Sequence, residues 1–65
     1  MNHQERWFLA WLISGTEREF NHADSRFHRY VRRLYDDRVI GYHDLFLEKP
    51  SVLRQFLDHV SKDNE

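Results

Sequence analysis

Four arginines raise the first chemical question. Arg26, Arg29, Arg32 and Arg33 fall three and four residues apart, a spacing that gathers side chains on one side of a helix. Guanidinium groups so arranged can track a phosphate backbone or clamp carboxylates on an acidic protein surface. His28 stands at the edge of the neighbouring apolar stripe and can add to them. Asp36 and Asp37 follow Arg32 and Arg33 by four residues, so internal ion pairs of about 0.2–0.5 kcal/mol each compete with any ligand. The plainest expectation is a solvated helix face. A DNA-recognition helix also needs base-reading groups near its N-terminus, where this one offers Asp24, Ser25 and Arg26.

Five histidines raise the question of a metal. Asp24 and His28 stand four residues apart with His22 just before them, and His43-Asp44 and His59-Asp63 are further pairs. A chain without cysteine holds no thiolate zinc site or disulfide. It also lacks His-Glu-x-x-His and His-x-His, and nothing in the spacing brings a third ligand to any pair. Neither a metal nor any other cofactor is expected. The signs of catalysis are thinner still. Ser14-Gly15 is not set in a Gly-x-Ser-x-Gly elbow, and the two glycines, Gly15 and Gly41, lie too far apart for a phosphate loop. Asp36-Asp37 is a carboxylate pair among arginines, where salt bridging is the simpler role. A chain of 65 residues leaves little room for a water-excluding pocket. No enzyme is expected.

These side chains must be positioned by helices. Hydrophobic periodicity predicts a first helix over about 3–14, stopping at Gly15, whose tolerance of positive φ suits a helix end. Thr16-Glu17-Arg18-Glu19 matches a capping box and starts a fresh turn. The alternative is one helix running through Gly15, against which Phe20 argues by falling off the Trp7/Trp11 face. A second long helix begins after Asp24 or Ser25 and carries Phe27, Tyr30, Val31, Leu34 and Tyr35 at helical period, ending near Asp37. A third begins at Pro50, a favoured first position, with Val52, Leu53, Phe56, Leu57 and Val60 on one face. Val39-Ile40 reads as a connector, and Asp44 is placed to cap a short turn through Leu45–Leu47. The fold expected is all-α, a small three-helix bundle with room for a fourth, short helix, in one domain over 1–65.

The first helix is the anomaly. Trp7, Phe8, Trp11 and Leu12 share one side, while Leu9 and Ile13 point to another. A helix apolar all round is ordinarily buried all round, and two amphipathic neighbours shelter one side of it more readily than both. Three arrangements answer this: a central position in the bundle, Leu45–Leu47 folded back over the second face, or a second copy or partner covering it. Trp7 and Trp11, one turn apart, are core residues on the plain reading and interface anchors on the functional one.

Composition narrows the rest. Ten Lys+Arg against eleven Asp+Glu give a net charge of −1, so attraction to nucleic acid or an anionic membrane needs a local patch. The longest apolar run, Trp7 to Ile13, falls far short of the roughly 20 residues of a membrane span. Met1 to Arg6 is polar and mixed in charge, unlike a signal peptide. The expectation is therefore a cytoplasmic chain whose N-terminus is intact. Function is expected to be that of a non-enzymatic regulatory or adaptor protein that binds another protein and forms a homodimer. Trp7, Leu9, Trp11, Ile13, Arg26, Arg29, Arg32 and Arg33 are the candidate contacts. The alternative is a small nucleic-acid-binding helical domain using Arg26, Arg29, Arg32 and Arg33.

Overall fold

The computed structural model describes residues 1–41 and 45–63. Among them are four helices and no strand: α1 (His3–Ser14), α2 (Glu17–His22), α3 (Ser25–Asp36) and α4 (Lys49–Asp63). Local chemistry sets the boundaries. Before α1, Asn2 Oδ1 accepts the Glu5 N–H at 2.8 Å while the Asn2 N–H donates to Glu5 Oε1 at 2.9 Å, a reciprocal capping box. Thr16 Oγ1 accepts the Glu19 N–H and starts α2. Asp24, rather than Ser25, caps α3 by accepting the Phe27 N–H at 3.0 Å. The expected Asp44 cap lies outside the described residues.

The two ends of interest close differently. Gly15 terminates α1 with its N–H on the Trp11 carbonyl at 2.7 Å, but its φ is −80°, so the expected positive-φ role is not the one it plays. A Cβ built on Gly15 would lie 2.0 Å from Cδ1 of Trp11. The glycine is there because the indole lies against its backbone. Positive φ appears instead at Arg38, at 59°. It closes α3 with Arg38 N–H on Tyr35 O at 3.1 Å and Val39 N–H on Leu34 O at 2.9 Å, the Schellman pattern that usually takes glycine at this place.

Packing follows from the apolar stripes. Phe8 of α1 and Phe56 of α4 meet edge to face with centroids 5.0 Å apart, and Lys49 Nζ donates to the Gly15 carbonyl. The start of α4 therefore lies beside the end of α1, and the two run antiparallel. On α1's other flank lies α3, where Phe27 reaches Trp7, Phe8 and Trp11. Short α2 brings Phe20 against Trp11 and Phe27. Phe8, Val52 and Phe56 are wholly enclosed, and burial of side chains this size contributes about 1.5–3 kcal/mol each. Val39-Ile40 is the expected connector, with Ile40 buried and the Gly41 N–H held by Gln55 Oε1 of α4 at 3.0 Å.

Candidate interaction surface

Trp11 lies in the core. It is 5% exposed, its Nε1–H donates to the Thr16 carbonyl at 2.9 Å, and Lys49 Nζ sits 4.4 Å over its ring. Phe8, Phe20, Phe27 and Phe46 surround it. A side chain so engaged is part of the core cluster. Trp7 is a half-core residue, packed on Phe27 at 5.1 Å yet 37% exposed. It floors a small cleft of about 320 Å³ with His3, Asp24, Arg26 and Tyr30.

Leu9 and Ile13 follow another course. Leu9 is partly buried against the core, while Ile13 is 68% exposed. Of the segment Leu45–Leu47, which the sequence allows over this face, Leu45 is buried in the core, but Ile13 is left exposed. Phe46 turns instead to Trp11 and Phe20, and Leu47 is exposed.

Helix geometry shows what adjoins Ile13. At about 100° per residue, α3 lies along the Trp7/Trp11 flank of α1, α4 along the Leu12 flank, and Leu9 and Ile13 come next beyond α4. On α4, Val52 and Phe56 face α1, while Gln55, His59 and Asp58 border a cleft shared with the end of α3. Leu53 and Leu57 therefore lie on the side away from α3. Because α1 and α4 are antiparallel, these two flanks turn the same way. By this phase Leu9, Ile13, Leu53 and Leu57 fall on the same side of the α1–α4 pair, opposite α3, and border its seam as an aliphatic strip. Leu53 is partly buried and Leu57 is 44% exposed. The sequence placed Leu57 in the core stripe of its helix. The missed signal was that Leu53/Leu57 repeat the four-residue step of Leu9/Ile13.

The arginines of α3 are all exposed but do not form one row. Arg26 and Arg33 lean to the Tyr30 flank, Arg29 stands near the outermost line, and Arg32 leans to the His28 flank. Arg33 Nε lies 3.6 Å from Asp37 Oδ2, with both side chains in water, where such a pair contributes at most about 1 kcal/mol. The cleft between the end of α3 and the α1–α4 pair, about 1200 Å³, also takes in Arg38, Asp58, His59 and Lys62. Within it Lys62 pairs with Asp58.

Among the described residues the histidines and acids do not assemble into a metal site. Asp24 is engaged as a cap. His28 Nε2 lies 2.6 Å from the Phe20 carbonyl and therefore donates to it, with its ring stacked on Phe20 at 5.0 Å. His43, Asp44 and the side chain of Asp63 lie outside the described residues, among which no group of acids and histidines is placed to hold a metal ion. Ser14 Oγ donates to the Ala10 carbonyl at 3.2 Å. No described helix is long and apolar enough to cross a membrane. Comparison with protein-family models, curated proteins and solved structures finds no match to this chain. The class defined by the fold is thus a small all-α bundle, in which Ile13 and Leu57 are exposed among the described residues.

Proposed function

We propose that this domain is a non-enzymatic regulatory or adaptor protein that acts by docking a helix of another protein along the α1–α4 seam. One observation carries the reading: Ile13 and Leu57 stand in water at 68% and 44% beside partly buried Leu9 and Leu53. Two antiparallel helices leave a groove on each side of their contact. α3 fills one, and a third helix of similar width fits the other, anchored at three- and four-residue steps. Between them, Ile13 and Leu57 leave about one full aliphatic side chain exposed, and its burial is worth roughly 1.5–3 kcal/mol to a complex. The homodimer expected from the sequence uses the same seam, with a second copy as the occupant.

A second reading has an observation of its own. Of the exposed arginines of α3, Arg26 shares a cleft with half-exposed Trp7, an arrangement suited to a nucleic-acid strand with a stacked base. It ranks second because Asp24, Asp36 and Asp37 bracket the arginines and Asp37 already holds Arg33. Capture from the native host separates the readings. Wild type, Ile13→Gln/Leu57→Gln and Arg29→Ala/Arg33→Ala are compared with and without nuclease. A protein retained after nuclease and lost only with the seam variant supports seam docking. Species lost with nuclease, or with the arginine variant alone, reject it.

A further inference from the structure

The charges bordering the seam identify its occupant more narrowly, an argument that rests on the seam-docking reading. On α1, the positions just outside Leu9 and Ile13 are Arg6 and Ala10. On α4, those just outside Leu53 and Leu57 are Pro50, Arg54 and Ser61. Arg6 and Arg54 are exposed, and neither enters the Arg33–Asp37 or Lys62–Asp58 ion pair. The described acids of this helix pair are already engaged. Glu5 closes the Asn2 capping box, and Asp58, which also borders the hollow of Leu53, Arg54 and Leu57, is paired with Lys62. The strip is therefore apolar along its middle, with one exposed arginine outside these ion pairs on each outer edge, Arg6 on α1 and Arg54 on α4.

From this we infer that the seam takes an amphipathic helix with acidic residues on both edges of its apolar face. Such a helix sets aliphatic side chains over Leu9, Ile13, Leu53 and Leu57 while its carboxylates meet Arg6 on one side and Arg54 on the other. Arginine suits this role, since its planar fork can grip a carboxylate through two N–H donors.

A second copy of the chain fits less well. With Phe8 level with Phe56 and Gly15 level with Lys49, Arg54 stands level with the middle of the strip. Two-fold pairing of α1 onto α1 then sets Arg54 against its own image. Two-fold pairing of α1 onto α4 brings Arg6 of each copy toward Arg54 of the other, about one turn apart along the axis. Both place like charges together at the rim, where juxtaposition opposes association.

The test uses two synthetic helical peptides of one length, with leucines at i, i+4, i+7 and i+11. One carries glutamates on both edges of the leucine face, and its twin carries lysines. Binding is followed by fluorescence anisotropy at low and physiological salt, with circular dichroism confirming that each variant is folded. The glutamate peptide is expected to bind wild type about three- to tenfold more tightly than the lysine peptide, as two exposed ion pairs allow. Added salt narrows the gap. Arg6→Glu/Arg54→Glu reverses the preference, and Ile13→Gln/Leu57→Gln abolishes binding of both. Equal binding of the two peptides, still lost with Ile13→Gln/Leu57→Gln, overturns the acidic-edge inference and leaves seam docking standing. Binding of neither peptide, or binding indifferent to Ile13 and Leu57, overturns both. A dimer in sedimentation that Ile13→Gln/Leu57→Gln dissolves overturns the inference in favour of a second copy.

Discussion

Replacing Gly15 with alanine should destabilise the domain severely, and for a reason unrelated to backbone freedom. The φ and ψ of Gly15, −80° and 159°, are ordinary extended values that alanine adopts without strain. The added methyl carbon, however, would lie 2.0 Å from Trp11 Cδ1 and 2.6 Å from both Cγ and Nε1. Ordinary contact requires the ring to withdraw by more than 1 Å. It is held by the Nε1–H bond to Thr16 at 2.9 Å and by aromatic neighbours on several sides. Overpacking of this kind costs about 1–3 kcal/mol, and loss of the indole hydrogen bond adds about 1 kcal/mol. Lower unfolded-state entropy returns about 0.4–1 kcal/mol. The net loss of about 1–3.5 kcal/mol lowers Tm by roughly 5–25 °C in so small a domain. Urea unfolding followed by tryptophan fluorescence measures it. In a Trp11→Leu background the same Gly15→Ala change should cost under about 1 kcal/mol, because the obstacle is gone. A Gly15→Ala midpoint equal to wild type, or an undiminished cost in that background, refutes the reasoning.

Other outcomes follow from the same coordinates. Phe56→Ala, at a wholly enclosed position, should cost about 3–5 kcal/mol and Leu34→Ala about 2–5 kcal/mol; near-wild-type urea midpoints would show the core to be misassigned. Arg38→Gly should stabilise by about 1 kcal/mol, since φ of 59° penalises a side chain there; an unchanged or lower Tm contradicts this. Ile13→Gln/Leu57→Gln should shift stability by under about 1 kcal/mol, because both positions are substantially in water already. Thermal unfolding that collapses in this variant would mean the seam belongs to the core.

Most helix boundaries were legible in the sequence because capping chemistry is local. Thr16, Asp24 and Pro50 sit within a residue of the starts they signal, and the stripe of α3 places Phe27, Val31 and Leu34 in the core as its period demands. The failures were of tertiary origin. Gly15 was legible as a stop but not as the floor under an indole, since that contact depends on how Trp11 rotates. Arg38 carries no sequence sign of its left-handed backbone, because the Schellman closure is imposed by Leu34, Tyr35 and Val39 around it. Trp11 and Leu57 each belong to an apolar face, and periodicity does not say which member is enclosed. Their fates diverged because α2 and Phe46 close over Trp11, whereas Leu57 lies on the side away from α3. Ile13 was the legible part of the surface, and its neighbours across the seam became visible only once α1 and α4 were seen to run antiparallel.

The affinity of the protein captured from the host, measured by calorimetry against purified variants, tests seam docking most directly. Wild type and Arg29→Ala/Arg33→Ala should bind within about twofold of each other, and Ile13→Gln/Leu57→Gln should bind about 10- to 100-fold more weakly, as burial of one aliphatic side chain implies. An affinity that ignores Ile13 and Leu57, or falls with the α3 arginines instead, contradicts the account.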